Sequence, residues 1–227
     1  MPKTRISERL RKDAGSIWEE IFSHPFVVEL YKGTLPIEKF KFYVLQDYNY
    51  LATMMRNLSI LSSKAESLEA MREVLEIAYL EATSEFRSYD ELLTKLGYTI
   101  EDAMRVEPTQ MNISYGSFLL GTSSLKTFWE GLAAILPCFW TYAEIAEFHK
   151  DKLNESKNNL YSEWASVYLT EPYHDLVNKI KELLDNAHIE YEKLKEVFII
   201  ASKYEYMYWS MAYDMEEWVI RPEKEKY

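Results

Sequence analysis

A single cysteine, Cys138, stands in the 227 residues of this chain. It excludes an internal disulfide and fits a reducing compartment. Glycine and proline are scarce, 6 and 7 residues, so few points can interrupt regular structure. Four histidines leave little material for a histidine-rich metal centre. Positive charge is short as well. A net charge of −11 argues against nucleic acid, whose binding depends on lysine and arginine. No apolar run approaches the ~20 residues of a membrane span. The start, MPKTRISERLRKD, is basic with no apolar stretch behind it, unlike a secretory leader. The expected location is the cytoplasm.

What is abundant is apolar and aromatic. Hydrophobic residues make up 48% of the chain, enough for a sizeable core. Rings are unusually frequent: 18 Tyr, 10 Phe and 6 Trp. Tyrosine buries a flat ring and keeps a hydroxyl for hydrogen bonding. That suits a pocket for a planar polar ligand, and it equally suits an aromatic helix core.

Helical spacing runs through nearly the whole chain. Ile6 to Phe22 reads as one helix, Pro25 to Tyr31 as a short one ended by Gly33, and Pro36 to Leu61 as a long one. Ser67 caps a helix to Leu96, with a break near Thr83 and a stop at Gly97. Thr99 and Asp102 form a variant capping box over a short turn. Asn112 to Leu120 follows, stopped by Gly121, and Ser123 or Ser124 caps a helix reaching about His149. The polar stretch KDKLNESKNN reads as a loop. Helices then cover Leu160 to Leu169, Pro172 to Asn186, and Glu190 to Trp218, with Pro222 and a charged tail at the end. No run keeps strand period long enough for a sheet. The expected fold is one all-α domain of eight or more helices over 1–227, with functional groups facing inward.

Three stretches carry the candidate chemistry. GLAAILPCFWTY places Cys138 directly after Pro137 inside a helix. A helix-interior proline costs ~3 kcal/mol, and re-aiming the next side chain is one reason to bear that cost. Tyr142 lies one turn on. A cysteine that merely fills core space is the competing reading. KFYVLQDYNYL puts Asp47 and Tyr50 on one helix face, and SKYEYMYW puts Glu205 among Tyr204, Tyr206 and Tyr208. A carboxyl among rings has a raised pKa, which suits proton transfer near neutrality. A carboxylate on the solvent face is the alternative for each. Glu171 with His174, and Asp185 with His188, have the three-residue spacing of helical metal ligands. His24 before Pro25 is either a haem ligand or a helix cap.

Taken together, HPFVVELYKGTL, FKFYVLQDYNYL, LPCFWTYAEIAE, YSEWASVYL and SKYEYMYWSMAYDMEEW resemble the TenA family, the thiaminase II type aminopyrimidine hydrolases, in the branch that keeps a cysteine. The blocks span residues 24 to 218. The resemblance implies a haem-oxygenase-like helical fold, a homotetramer, no cofactor and no metal. Residue by residue, it implies Cys138 as nucleophile and Glu205 as acid/base, with Tyr50 assisting the cysteine. It implies Asp47 as the hydrogen-bond partner of the aminopyrimidine. Tyr115, Tyr142, Tyr168 and Tyr208 are then substrate-contacting rings. Tyr208 stands where many members carry phenylalanine, and Phe139 where many carry tyrosine. The implied reaction replaces ammonia or the thiazole of thiamin on the exocyclic methylene by water, yielding hydroxymethylpyrimidine for thiamin salvage. The rival readings are a pyrimidine or pyrimidine-phosphate binding protein on the same fold, a haem or metal oxygenase, and a purely structural helical protein.

Overall fold

The computed structural model describes residues 4–220. The tail from Pro222 lies outside them. The described residues form helices and no strand: α1 (Ile6–Asp13), α2 (Gly15–Ser23), α3 (Pro25–Lys32), α4 (Ile37–Lys64), α5 (Leu68–Leu80), a π-helical turn (Glu81–Glu85), α6 (Phe86–Leu96) and α7 (Ile100–Arg105). There follow α8 (Gln110–Leu125), α9 (Phe128–Phe148), α10 (Lys150–Glu155), α11 (Asn159–Ser166), a 3-10 turn (Val167–Leu169), α12 (Glu171–Asp185) and α13 (Tyr191–Asp214). None is long and apolar enough to cross a membrane.

The centre of the molecule is α9. From Phe128 to Pro137 every residue is buried, as expected of a helix apolar all round. It packs along α13, and α4 packs along α5 and α8. Trp18 of α2 joins the rings of Trp140 and Phe198 at 5.4 and 6.1 Å. Its indole N–H donates to Ser202 Oγ at 3.0 Å, so the buried polar atom is satisfied.

Several expected boundaries hold for the expected reasons. Gly33 and Gly97 end α3 and α6 with φ of 74° and 83°, a region that costs glycine nothing. Thr99 and Asp102 form a reciprocal capping box. The break near Thr83 is the π turn.

Others are corrected. The segment from Ile6 to Phe22 is two helices, because Ala14 takes φ −87° and ψ 4° ahead of Gly15, a poor helix former. The bend sends both Leu10 and Trp18 fully into the core. KDKLNESKNN is not all loop: its first half is α10, begun at His149, whose carbonyl accepts from Leu153 N at 3.0 Å. Gly121 does not stop α8, which runs on to Leu125; glycine weakens a helix without ending it when its φ stays negative. The helix reaching Trp218 ends at Asp214, where Met215 adopts φ 49°.

The cap of α9 is Thr127, not Ser123 or Ser124. Its hydroxyl accepts from Glu130 N at 3.2 Å, and Glu130 Oε2 accepts from Thr127 N at 3.0 Å. Thr127→Ala should therefore lower unfolding free energy by ~1 kcal/mol, read by denaturant titration. Ser124→Ala should stay within about 0.5 kcal/mol of the unaltered chain. Equal losses in the two would refute the assignment.

Candidate active site

Five elements, α4, the π turn, α9, the 3-10 turn and α12, converge on one narrow cavity. On α4, Tyr43, Asp47, Tyr50, Leu51 and Met54 follow helical spacing and face inward together. On α9, Cys138, Phe139 and Tyr142 do the same. The π turn adds Glu81 and Glu85; Tyr168 and Tyr173 close the wall. The space is about 40 Å³, room for a few waters. Glu85 and Tyr168 also line an outer groove of about 190 Å³ with Ser88, Tyr89 and Trp164. The two spaces are thus neighbours that share part of a wall.

Asp47 is 7% exposed, which settles the choice against a solvent-face carboxylate. Tyr43 donates to its Oδ2 at 3.2 Å, and Tyr89 of α6 donates to the same oxygen. Burial pushes the carboxyl up to about 6, against the pull of these donors. The Tyr43 hydroxyl also lies 3.0 Å from that of Tyr142, and the rings of Tyr142 and Tyr168 meet at 4.9 Å.

Glu205 is 3% exposed, also inside rather than on the surface. Tyr115 donates to its Oε1 at 2.5 Å. Burial pushes Glu205 up to about 7, opposed by Tyr115 and Thr141. The Thr141 hydroxyl lies 2.8 Å from the Pro137 carbonyl and 3.3 Å from Glu205 Oε2. It has one proton for two acceptors. When Glu205 is ionised the proton favours the carboxylate; when Glu205 is protonated it favours the carbonyl just before Cys138.

Cys138 is free and half-buried, with its open side on the cavity. Burial first, then the Glu205 charge, raise its thiol well above the usual range. The thiol is protonated at rest and needs a base to react. Tyr50 sits beside it, and the two influence each other's titration. The Tyr50 ring meets Tyr115 at 5.2 Å and Tyr208 at 5.3 Å. Burial keeps all three phenols protonated. Tyr208 is near enough to Asp47 to favour its charge. The Tyr50 hydroxyl reaches the Cys138 thiol and that of Tyr208 reaches Asp47, and neither bond is close to ideal geometry. Buried hydroxyls held in this way are satisfied by a ligand or by water.

All the expected site residues thus gather at one place. Asp47, Tyr50, Cys138, Tyr142 and Tyr168 line the cavity, while Glu205, Tyr115 and Tyr208 stand directly behind it. Glu81, Glu85, Tyr89, Thr141 and Tyr173 were missed by sequence reasoning. Of these, only the break near Thr83 offered a signal.

The metal-spaced pairs do not meet. His174 lies 3.8 Å from Glu147 and His188 3.1 Å from Glu66, while Asp185 accepts from Ser7 N. Among the described residues no three His, Cys, Asp or Glu side chains converge as metal ligands. His24 is a helix cap: its Nδ1 accepts from Phe26 N at 3.1 Å and its Nε2 lies 3.1 Å from Ser210 Oγ.

The family model described as TENA/THI-4/PQQC matches residues 11–215. An aminopyrimidine aminohydrolase of Helicobacter pylori is 33% identical over 214 residues, 92% of this chain and 99% of that protein. The solved structure of a TenA homologue protein from P. horikoshii OT3 is 48% identical, with a TM-score of 0.90 over 93% of this chain and 99% of its own. A domain with a heme oxygenase-like fold from Shewanella denitrificans, 14% identical, superposes with a TM-score of 0.72 over 92% of this chain and 90% of its own. That likeness shows the fold alone, and it is the haem-oxygenase-like fold expected from the sequence.

Proposed function

The chain belongs to the TENA/THI-4/PQQC family, and from that premise we propose that it hydrolyses aminopyrimidines with Cys138 as nucleophile. It is a C–N bond hydrolase of thiamin salvage, converting 4-amino-5-aminomethyl-2-methylpyrimidine to the hydroxymethyl compound. The observation that carries the mechanism is the meeting of a cavity-facing thiol, a buried carboxyl poised near neutrality and a tyrosine-held aspartate around one space.

Each group has a task that its surroundings suit. Asp47 accepts from the amino edge of the pyrimidine, and Tyr142 and Tyr168 flank the ring. The Tyr50 hydroxyl, on the cavity wall beside Cys138, gains a partner when the ligand enters, and Tyr208 supports Asp47 from behind. The Cys138 sulfur bonds to a ring carbon, and Glu205 takes the thiol proton and passes it to the ring nitrogen that gathers charge. The electron pair then expels the leaving group from the exocyclic methylene. Water adds to that methylene, the carbon–sulfur bond breaks and the thiol regains its proton. The net change is the aminomethyl compound plus water giving the hydroxymethyl compound plus ammonia.

The test is ammonia release from the aminomethylpyrimidine, with thiamin assayed alongside. Rapid release from the first is the expected result. Binding of both without turnover of either would overturn the reading in favour of a carrier. The reading extends to a cytoplasmic homotetramer over one domain, the assembly common in the family. Light scattering is expected to give four chain masses.

A further inference from the structure

The cavity holds two carboxylates that the reaction above does not use. Glu81 and Glu85 lie four residues apart on the π turn and both line the cavity. Glu81 is buried at 7% exposure. Asp47 and Glu205 are held by phenol donors, but among the described residues Glu81 and Glu85 have neither an ion-pair partner nor a donor. The lysine of the outer groove, Lys95, is paired with Glu163. Burial, mutual repulsion and Asp47 push the carboxyl of Glu81 well up, and burial brings Glu85 to about 7.

A buried carboxylate beside a half-buried one is costly unless a proton or a cation lies between them. Among the described residues no protein group supplies the cation. The pair stands on the side of the cavity that borders the outer groove, since Glu85 lines both spaces. Glu81 is itself a carboxyl unpartnered among the described residues, nine-tenths buried and lining the cavity, and so marks a ligand position there.

We propose that Glu81 and Glu85 form a carboxylate pair that reads positive charge on the substrate's leaving group. The pair admits aminopyrimidines whose exocyclic methylene carries a cation, an ammonium or a thiazolium, and repels phosphate esters. The neutral hydroxymethyl product loses this contact, which favours its release. The proposal rests on the hydrolase reading and adds a substrate class to it. The two residues set specificity and take no part in bond making.

Binding by calorimetry separates the two ideas. In a Cys138→Ala background, three ligands are compared: the aminomethylpyrimidine (cationic), the hydroxymethylpyrimidine (neutral) and its phosphate ester (anionic). Replacing both residues, Glu81→Gln with Glu85→Gln, should weaken the cation by about 30-fold or more. The neutral ligand should change less than threefold, and the phosphate should bind more tightly than before. A parallel change for all three ligands would overturn the charge reading and leave the hydrolase standing. Charge selectivity in a Cys138-intact chain that releases no ammonia would keep the pair and remove the hydrolase. Failure of all three to bind the intact chain would sink both. Should the double variant melt early, the half-buried Glu85→Gln alone carries the comparison, with the same order of effects expected.

Discussion

Cys138→Ala should lose turnover of the aminomethylpyrimidine by on the order of 10⁴ or more, the scale seen when a nucleophile that acts as one unit with its partners is removed. The thiol faces the cavity and burial keeps it protonated, so its chemistry depends on a base close by. Glu205 is the charged group with the largest influence on it. Alanine removes the sulfur that must bond to the ring and leaves Asp47 with both tyrosine donors intact. The variant should therefore still bind hydroxymethylpyrimidine, with a dissociation constant near that of the unaltered chain. Retained turnover within tenfold would show that water attacks without a thiol adduct. Loss of both turnover and binding would point to a collapsed cavity, which a melting curve would reveal.

Glu205→Gln should lower kcat by ~10² to 10⁴, the usual contribution of a positioned proton-transfer group. Its pH dependence gives a second reading. The thiol proton can be accepted only by the ionised carboxylate, and burial sets that ionisation at about 7. In the unaltered chain kcat/KM should rise as pH is raised through about 7, and the glutamine variant should lose that rise. A rise of the same shape in both would place the base elsewhere. Stability moves the other way. The folded carboxyl has its pKa raised from the ordinary 4.5 to about 7, so folding favours the protonated form. That contribution is present below the ordinary value and is lost as pH rises through about 7. Glutamine imitates the protonated state, so at pH 8 the variant should melt no lower than the unaltered chain. Activity lost with the melting point kept is the signature of a chemical role.

The parts of this molecule that were legible in the sequence are those whose local chemistry has one structural answer. Thr99 with Asp102, Gly97 and Pro25 each mark a helix end with the residues that end needs. Asp47 and Glu205 were conspicuous because a carboxyl surrounded by rings gives up water and must gain something in return. Cys138 was conspicuous because of the proline before it. The cap of α9 was misplaced although Thr127 with Glu130 has the capping-box spacing, since several hydroxyls crowd that junction. The division at Ala14 was hidden because apolar spacing continues across it. Glu81, Glu85 and Tyr89 sit in EATSEFRSYDELL, a stretch with the charge density of an ordinary surface helix. Nothing in its composition turns those carboxylates inward. Packing against α4 does so.

A π turn holds one more residue than an α-helix would use for the same advance. The segment from Leu68 to Leu96 is therefore two α-helices out of phase, spliced at Glu81–Glu85. Below the splice Val74 and Ile77 lie in the core; above it Tyr89, Leu92 and Leu93 do. Deleting one residue from the splice would restore an unbroken helix and swing everything beyond it by about 100°. Tyr89 would leave Asp47, and Glu85 would leave the cavity wall and part from Glu81. The shortened chain would show the helix content of its parent by circular dichroism and carry no working pocket. The length of this one segment, more than the identity of any residue in it, keeps the wall of the site in register.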